Sequence, residues 1–196
     1  MNRSHLLRSN GWGRAWTTVA ALTLLWLGGC APPQDPQAPP DVEDLPAFSA
    51  TEAALFDDTI ADSAFGEGMD DTGPDQELKL SERSVRADGI VPVRISTVTS
   101  DLRDDDQLYQ LVLVPTGAPL HGPEQSEPIS VTVSSASPSF PLVRGADAEL
   151  VGKQLIFMYR RYNVEGNATM HWRLEADSNE NRKAIAEARI LEELDS

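Results

Sequence analysis

The chain has 196 residues, 16 of them basic and 31 acidic, which gives a formal net charge of −15 at pH 7. So acidic a protein is a poor match for nucleic acid, because phosphate backbones select basic surfaces. The single cysteine, Cys30, excludes an intramolecular disulfide and a cysteine-rich metal site.

Residues 1–29 have the layout of a secretory signal peptide. Residues 1–14 contain three arginines and no acidic residue, and residues 15–27 form a mostly apolar run of 13 positions. A stable transmembrane helix needs about 20 apolar residues, so this run is too short to be one. Without this segment the chain keeps 13 basic and 31 acidic residues, and its net charge of −18 disfavours peripheral binding to anionic lipid.

The residues that close this segment, Leu27-Gly28-Gly29-Cys30, resemble the lipobox of bacterial lipoproteins. The resemblance covers only the first 30 residues. It implies that a diacylglyceryl group joins the Cys30 sulfur, that signal peptidase II cuts after Gly29, and that the new amino group is often acylated. Two or three acyl chains hold a protein on a bilayer firmly, whereas one chain binds marginally. In that family an Asp directly after the cysteine retains some proteins in the inner membrane. Here Ala31 follows, which favours the outer membrane.

The next two segments are predicted to link the anchor to a folded domain. Residues 30–48 are rich in proline and poor in large apolar groups, which favours an extended polyproline II tether of about 3 Å per residue. A stretch packed along the domain is the alternative. Residues 49–77 are predicted to be an acidic helical segment, since residues 31–78 contain 13 acidic residues and no Lys or Arg. We therefore place the start of the globular domain at residue 78.

Within the acidic segment the spacing predicts a helix over residues 49–65. Ser49 and Glu52 have the spacing of a capping box, which satisfies free amides of the first turn. The apolar positions recur at helical intervals: Leu55, Phe56, Ile60 and Ala64. Three acids of this segment are expected to face mainly solvent: Asp57, Asp58 and Asp62. A further short helix is predicted over residues 77–87.

The rest of the chain carries the pattern of short strands. Alternating or continuous apolar residues predict strands over residues 90–99, 108–114 and 129–133, with a break at 135–141. Residues 154–163 and 169–175 predict a hairpin joined by a five-residue loop, with the first strand central and Trp172 on the apolar face of the second. Residues 179–194 predict a final helix with one apolar stripe: Ile185, Ala188, Leu191 and Leu194.

These elements predict an α+β fold for residues 78–196. About five antiparallel strands would form a curled sheet or a small barrel of the OB type, flanked by N-terminal and C-terminal helices. A β-sandwich is the alternative, because strand count alone does not separate the two.

The sequence offers no recognisable catalytic set. It contains no nucleophile elbow, no paired histidines at zinc spacing and no glycine-rich phosphate loop, and we predict no cofactor. Two acidic clusters are candidate calcium sites, one at residues 70–75 and one at residues 101–106. Neither fits the EF-hand pattern, and solvated loop acids explain them better.

The candidate binding site is a group of cationic and aromatic residues around the hairpin. Strand alternation places Arg160 with Tyr162, and His171 with Arg173. If these pairs share a face, they form a positive patch able to bind an anionic glycan, a phosphate or an acidic partner. The alternative, which we favour, is a solvated outer face whose arginines pair with neighbouring acids such as Glu165 and Glu175.

The sequence therefore predicts a non-enzymatic lipoprotein of the bacterial envelope. Its membrane contact would be the lipid at Cys30, and its partner an envelope protein or glycan. A module that binds a small ligand or an ion is the alternative from another class, and a hydrolase acting on envelope polymers is the third.

Overall fold

The computed structural model describes residues 41–65, 74–103 and 106–195. The predicted signal peptide of residues 1–29, the Leu27–Cys30 motif and most of the predicted tether lie outside these residues. So do Asp70 and Asp71 of the first acidic cluster and residues 104 and 105 of the second. One compact unit spans Pro39–Ser196, so residues 41–65 belong to the same unit as the sheet.

The described residues form six strands and four α-helices. The strands are β1 (Thr59–Ile60), β2 (Gly89–Arg103), β3 (Asp106–Pro115), β4 (Ile129–Val133), β5 (Gln154–Val164) and β6 (Asn167–Ala176). The helices are α1 (Ala50–Ala53), α2 (Pro74–Arg86), α3 (Phe140–Leu150) and α4 (Asn179–Asp195), and short 3-10 turns cover Val42–Asp44 and Asp62–Phe65.

The strands form one mixed sheet, ordered β1-β6-β5-β2-β3-β4, that curls into a half-barrel. Strand β1 pairs parallel to β6, and all other neighbours are antiparallel. The predicted α+β class and curled sheet with flanking helices are confirmed. Because a single sheet is formed, the sandwich alternative does not apply, and the count rises from five strands to six because β1 was not predicted as a strand.

Each face of the sheet supports its own apolar core. The face covered by α3 carries the larger cluster, which includes Val91, Val93, Ile95, Leu111, Leu113, Val131, Leu155, Phe157, Trp172 and Leu174 with Val143 and Leu150 of α3. The opposite face, covered by α2 and α4, carries Ile90, Ile156, Met158 and Tyr162 with Leu80 and Ile185. Strand β5 supplies buried side chains to both clusters, which confirms its predicted central position.

Several predicted elements differ from the structure. The predicted helix over residues 49–65 is wrong beyond its first turn, because α1 ends at Ala53 and Thr59–Ile60 joins the sheet. The predicted hairpin loop of five residues is a two-residue turn, Glu165-Gly166, in which both residues have a positive φ. Helix α3 occupies part of the stretch predicted as a break. In α4, Ile185 and Ala188 are buried as predicted, but Leu191 and Leu194 are exposed.

Two serine hydroxyls complete the free edge of β1. The Ile60 N–H donates to Ser139 Oγ at 2.7 Å, and the Ser139 hydroxyl donates to the Ile60 carbonyl at 3.3 Å. The Ser137 hydroxyl donates to the Asp58 carbonyl at 3.1 Å. Because buried backbone groups need partners, these side chains take the place of a neighbouring strand at this edge.

Replacing Ser139 by alanine is expected to lower the free energy of unfolding by about 1–3 kcal/mol, since it leaves a buried N–H and a buried carbonyl unpaired. Urea denaturation measures the change. The control is Ser135→Ala, which removes only a 3.4 Å contact between exposed Ser135 and Asp106 and should change stability by less than about 0.5 kcal/mol. Equal effects of the two substitutions would contradict the assigned role of Ser139.

Candidate functional site: a charged layer under an N-terminal strap

Residues 42–60, which we call the strap, cross the outer half of the β5–β6 hairpin. The Asn163 N–H donates to the Pro46 carbonyl at 2.9 Å, and the Asn163 side-chain amide donates to the Val42 carbonyl at 3.1 Å. Ala47 forms a parallel bridge with Asn163. The last part of the predicted tether therefore packs on the domain, and the strap ends with β1.

Apolar side chains of the strap anchor it to the sheet. Phe56 is fully buried, and Leu55 and Ile60 are each 2% exposed. Leu55 and Phe56 belong to the core under α2 and α4, whereas Ile60 belongs to the core under α3. The strap thus contributes to both cores of the half-barrel.

Glu52 is the first of three carboxylates that the strap places over the hairpin. Ser49 Oγ accepts a hydrogen bond from the Glu52 N–H, as a helix N-cap should. The Glu52 carboxylate accepts hydrogen bonds from the Tyr162 hydroxyl at 2.6 Å and from Arg86 at 2.7 Å, and Arg160 lies 3.5 Å away. Burial alone would raise the pKa of Glu52, but these donors outweigh it and leave that pKa below its ordinary value.

Tyr162 is fully buried at the centre of this contact. The rings of Phe48 and Phe56 meet its ring edge-on, with centroids 5.0 and 6.3 Å away, and the Arg160 guanidinium lies 5.6 Å from its centroid. Burial and the hydrogen bond to Glu52 raise the pKa of Tyr162, so the hydroxyl stays a neutral donor.

Asp58, the second carboxylate, contacts strand β6 through both of its oxygens. Its φ of 53° is in the left-handed region, which Asp tolerates better than most residues. One oxygen accepts from the Trp172 N–H at 2.9 Å, and the other lies 2.8 Å from Nδ1 of His171. Burial raises the pKa of Asp58, although the Trp172 N–H and His171 partly oppose that shift. Phe48 stacks on the His171 ring at a centroid distance of 3.8 Å and an angle of 3°.

Asp57, the third carboxylate, begins a chain of alternating charges that runs to α2. Arg173 donates to Asp57 at 2.8 Å and to Glu175 at 3.2 Å, and Arg83 donates to Glu175 at 2.6 Å. Arg83 also donates to the Leu55 carbonyl at 2.6 Å. Its side chain is only 2% exposed, and burial lowers the pKa of the guanidinium. Within the described residues, every buried polar side-chain atom has a hydrogen-bond partner.

The four residues predicted as a binding patch do share one face. Arg160 lies directly across from His171 in the β5–β6 ladder, and Tyr162 and Arg173 lie on the same side of the sheet. Two features differ from the expectation. The face is covered by the strap, and the pairing acids are Glu52, Asp57 and Asp58, of which the latter two were expected in solvent. Glu175 does pair with Arg173 as predicted. The binding role of the four residues stays a prediction.

The sequence did not predict that Arg83 is buried, nor that the strap acids Glu52, Asp57 and Asp58 lie over the hairpin. Arg83 lies in a helix that is polar on most positions, and no local pattern marks it as buried. For the strap acids one signal was present: the pair Asp57-Asp58 directly precedes Thr59-Ile60, and β-branched residues favour strands. The arrangement as a whole fixes the strap to the sheet through charge-assisted hydrogen bonds.

Glu52→Gln is expected to lower the free energy of unfolding by about 1.5–3 kcal/mol near neutral pH, because the hydrogen bonds to a charged acceptor are weakened. The folded-state pKa of Glu52 lies below its ordinary value of 4.5, so its contribution is present above pH 4.5 and is lost as the pH falls through the folded pKa. The stability difference between wild type and variant should therefore shrink below pH 4.5, which urea midpoints across pH would show.

The matched control for this substitution is Glu82→Gln. Glu82 pairs with the same Arg86 at 2.7 Å but is 46% exposed. Exposed ion pairs contribute little, so this change should cost less than about 1 kcal/mol. A pH-independent difference between wild type and Glu52→Gln would contradict the role given to the Glu52 carboxylate.

Two further observations bear on the kind of site present. Among residues 41–65, 74–103 and 106–195, no three His, Cys, Asp or Glu side chains come together as metal ligands. In the same part of the chain, no helix has both the length and the apolar character required to cross a bilayer. Compared with known proteins, the chain matches no family model, no curated protein and no solved structure.

Proposed function

We propose that the protein is a lipid-anchored lipoprotein of the bacterial envelope, whose domain binds another envelope component without catalysing a reaction. The observation that carries the proposal is the order of residues 1–30: arginines, a short apolar run, two glycines and Cys30. Acylation at Cys30 places the protein on the membrane, and Ala31 after the cysteine favours the outer membrane.

The contacts of the strap are consistent with a domain held at its N-terminal end. Residues 42–60 follow the segment that begins at Cys30. They are attached to β5 and β6 by Asn163 and by the three strap carboxylates. Such attachment would keep the chain packed on the domain from residue 42 onward, so fewer residues of the proline-rich sequence separate Cys30 from the domain than that sequence implies.

Cys30→Ala is the test of this proposal. Cells expressing the wild-type protein and fed an alkyne-bearing fatty acid are expected to incorporate the label, whereas the variant should lose it, because the only sulfur able to carry the diacylglyceryl group is gone. Pro32→Ala is the control and should label like wild type. Persistent labelling of Cys30→Ala would refute the anchor.

A further inference from the structure

The outer side of α4 carries an apolar patch that the core does not use. Ile185 and Ala188 are 1% and 4% exposed and face the interior of the domain, and Arg189 on the same side donates to the Val85 carbonyl of α2 at 3.3 Å. Successive residues of an α-helix are rotated by about 100°, so Ile190, Leu191 and Leu194 point away from that side. Their exposed fractions are 56%, 62% and 77%. We call these three residues the α4 patch.

The α4 patch has the residue spacing of a helix that docks into a groove. Ile190 and Leu194 are four residues apart, and Leu191 and Leu194 are three apart, so the three side chains form one continuous surface. Helices recognised in apolar grooves present anchors at these intervals. Large apolar residues grouped and exposed in this way mark an interaction surface more often than single exposed ones do.

The charges around the α4 patch decide between possible occupants. Glu187 and Glu193 flank it, and both are exposed. Lys183 pairs with Glu187 at 3.6 Å, and Arg189, next to Ile190, pairs with Glu192. A second copy of this chain would bring the same acidic rim against this one, and an anionic bilayer would repel it as well. A protein groove bordered by Lys or Arg would attract it.

We propose that the α4 patch is the docking surface for an envelope protein that offers an apolar groove bordered by basic residues. The inference rests on the proposed function, which it extends by naming the surface and the chemistry of the partner. Leu191 and Leu194 fill the groove, and Glu187 and Glu193 pair with its basic border. The charged side chains beneath the strap are not part of this docking surface; they hold the strap to the hairpin.

Site-specific photo-cross-linking in intact cells tests the proposal with the full-length, acylated protein. Benzoylphenylalanine replaces Leu191 in one strain and Leu194 in a second. Val151, which is 48% exposed on the other side of the fold, is replaced in a third strain as the control. We expect the first two strains to give a protein adduct at least tenfold stronger than the third. The cross-linked peptide of the partner should contain apolar residues flanked by Lys or Arg.

A charge reversal then tests the rim. Glu187→Lys with Glu193→Lys should reduce the adduct from position 191 at least fivefold, whereas Glu127→Lys with Glu149→Lys, at exposed acids elsewhere, should leave it unchanged. Adducts to a second copy of this chain, adducts to phospholipid, yields no higher than at position 151, or no response to the charge reversal would each overturn the proposal. Fatty-acid labelling of Cys30 is read in the same cells. Intact labelling without the adduct rejects the α4 patch alone, and lost labelling rejects the anchor.

Discussion

A chain shortened to begin at Pro74 is expected to show no cooperative unfolding transition, whereas a chain that begins at Asp41 should unfold cooperatively. The shorter chain lacks the strap and β1. It therefore loses Leu55, Phe56 and Ile60, three side chains that are at most 2% exposed. Truncating one such side chain typically costs about 2–5 kcal/mol, and a domain is stable by only about 5–15 kcal/mol in total.

The shorter chain also loses the acids that pair with the hairpin. Arg173 loses Asp57, His171 loses Asp58 and Tyr162 loses Glu52, although all three remain beside the core. Thermal unfolding followed by circular dichroism compares the two chains. A cooperative transition in the chain that begins at Pro74 would show that residues 74–196 form the domain by themselves, and it would contradict the strap as part of the fold.

Glu175→Leu is expected to lower the free energy of unfolding by about 3–5 kcal/mol. The substitution leaves the Arg83 guanidinium, whose side chain is 2% exposed, with the Leu55 carbonyl as its one hydrogen-bond partner among the described residues. An uncompensated buried charge is far more costly than the absence of a buried pair. Arg173 keeps Asp57, so the loss is concentrated at Arg83. Urea denaturation of the chain that begins at Asp41 measures the effect.

Two further variants separate this explanation from a general loss of packing. Arg83→Met combined with Glu175→Leu should be more stable than Glu175→Leu alone, because removing both charges leaves none unpaired. Glu187→Leu makes the same substitution at an exposed ion pair and should cost less than about 1 kcal/mol. If the double variant were as unstable as the single variant, the buried charge of Arg83 would not be the cause.

The sheet and its flanking helices could be predicted because their signals are local. Alternating or continuous apolar residues identified β2 to β6, and the final helix was correct within a residue of its C-terminal end. Helix α3 was missed because residues 135–141 were interpreted as a break in the strand pattern, yet Pro141 is compatible with the first turn of a helix. The α4 residues were predicted to form one apolar stripe, but only Ile185 and Ala188 in its first half are buried.

The strap could not be predicted because its structure depends on distant residues. The apolar positions Leu55, Phe56 and Ile60 were identified as core residues, but their spacing also fits a helix. The helix ends at Ala53, and the left-handed conformation of Asp58 and the pairing of Thr59–Ile60 with β6 are incompatible with a helix over the residues that follow. The contacts from Glu52 to Arg160, from Asp58 to His171 and from Asp57 to Arg173 join residues 108, 113 and 116 positions apart. Local periodicity contains no information about them.

The common face of Arg160, Tyr162, His171 and Arg173 followed directly from strand alternation, because the period of two is fixed by backbone geometry. The alternation did not predict whether that face is exposed to solvent or covered by another part of the chain. That depends on where the strap crosses the hairpin.

The lipid anchor can be tested by the intact mass of the protein extracted from bacterial membranes. We expect a chain that begins at Cys30 and carries a diacylglyceryl group, with or without an acyl group on its new amino terminus. A chain that retains Met1, or one cut elsewhere and free of lipid, would contradict the anchor and with it the proposed function.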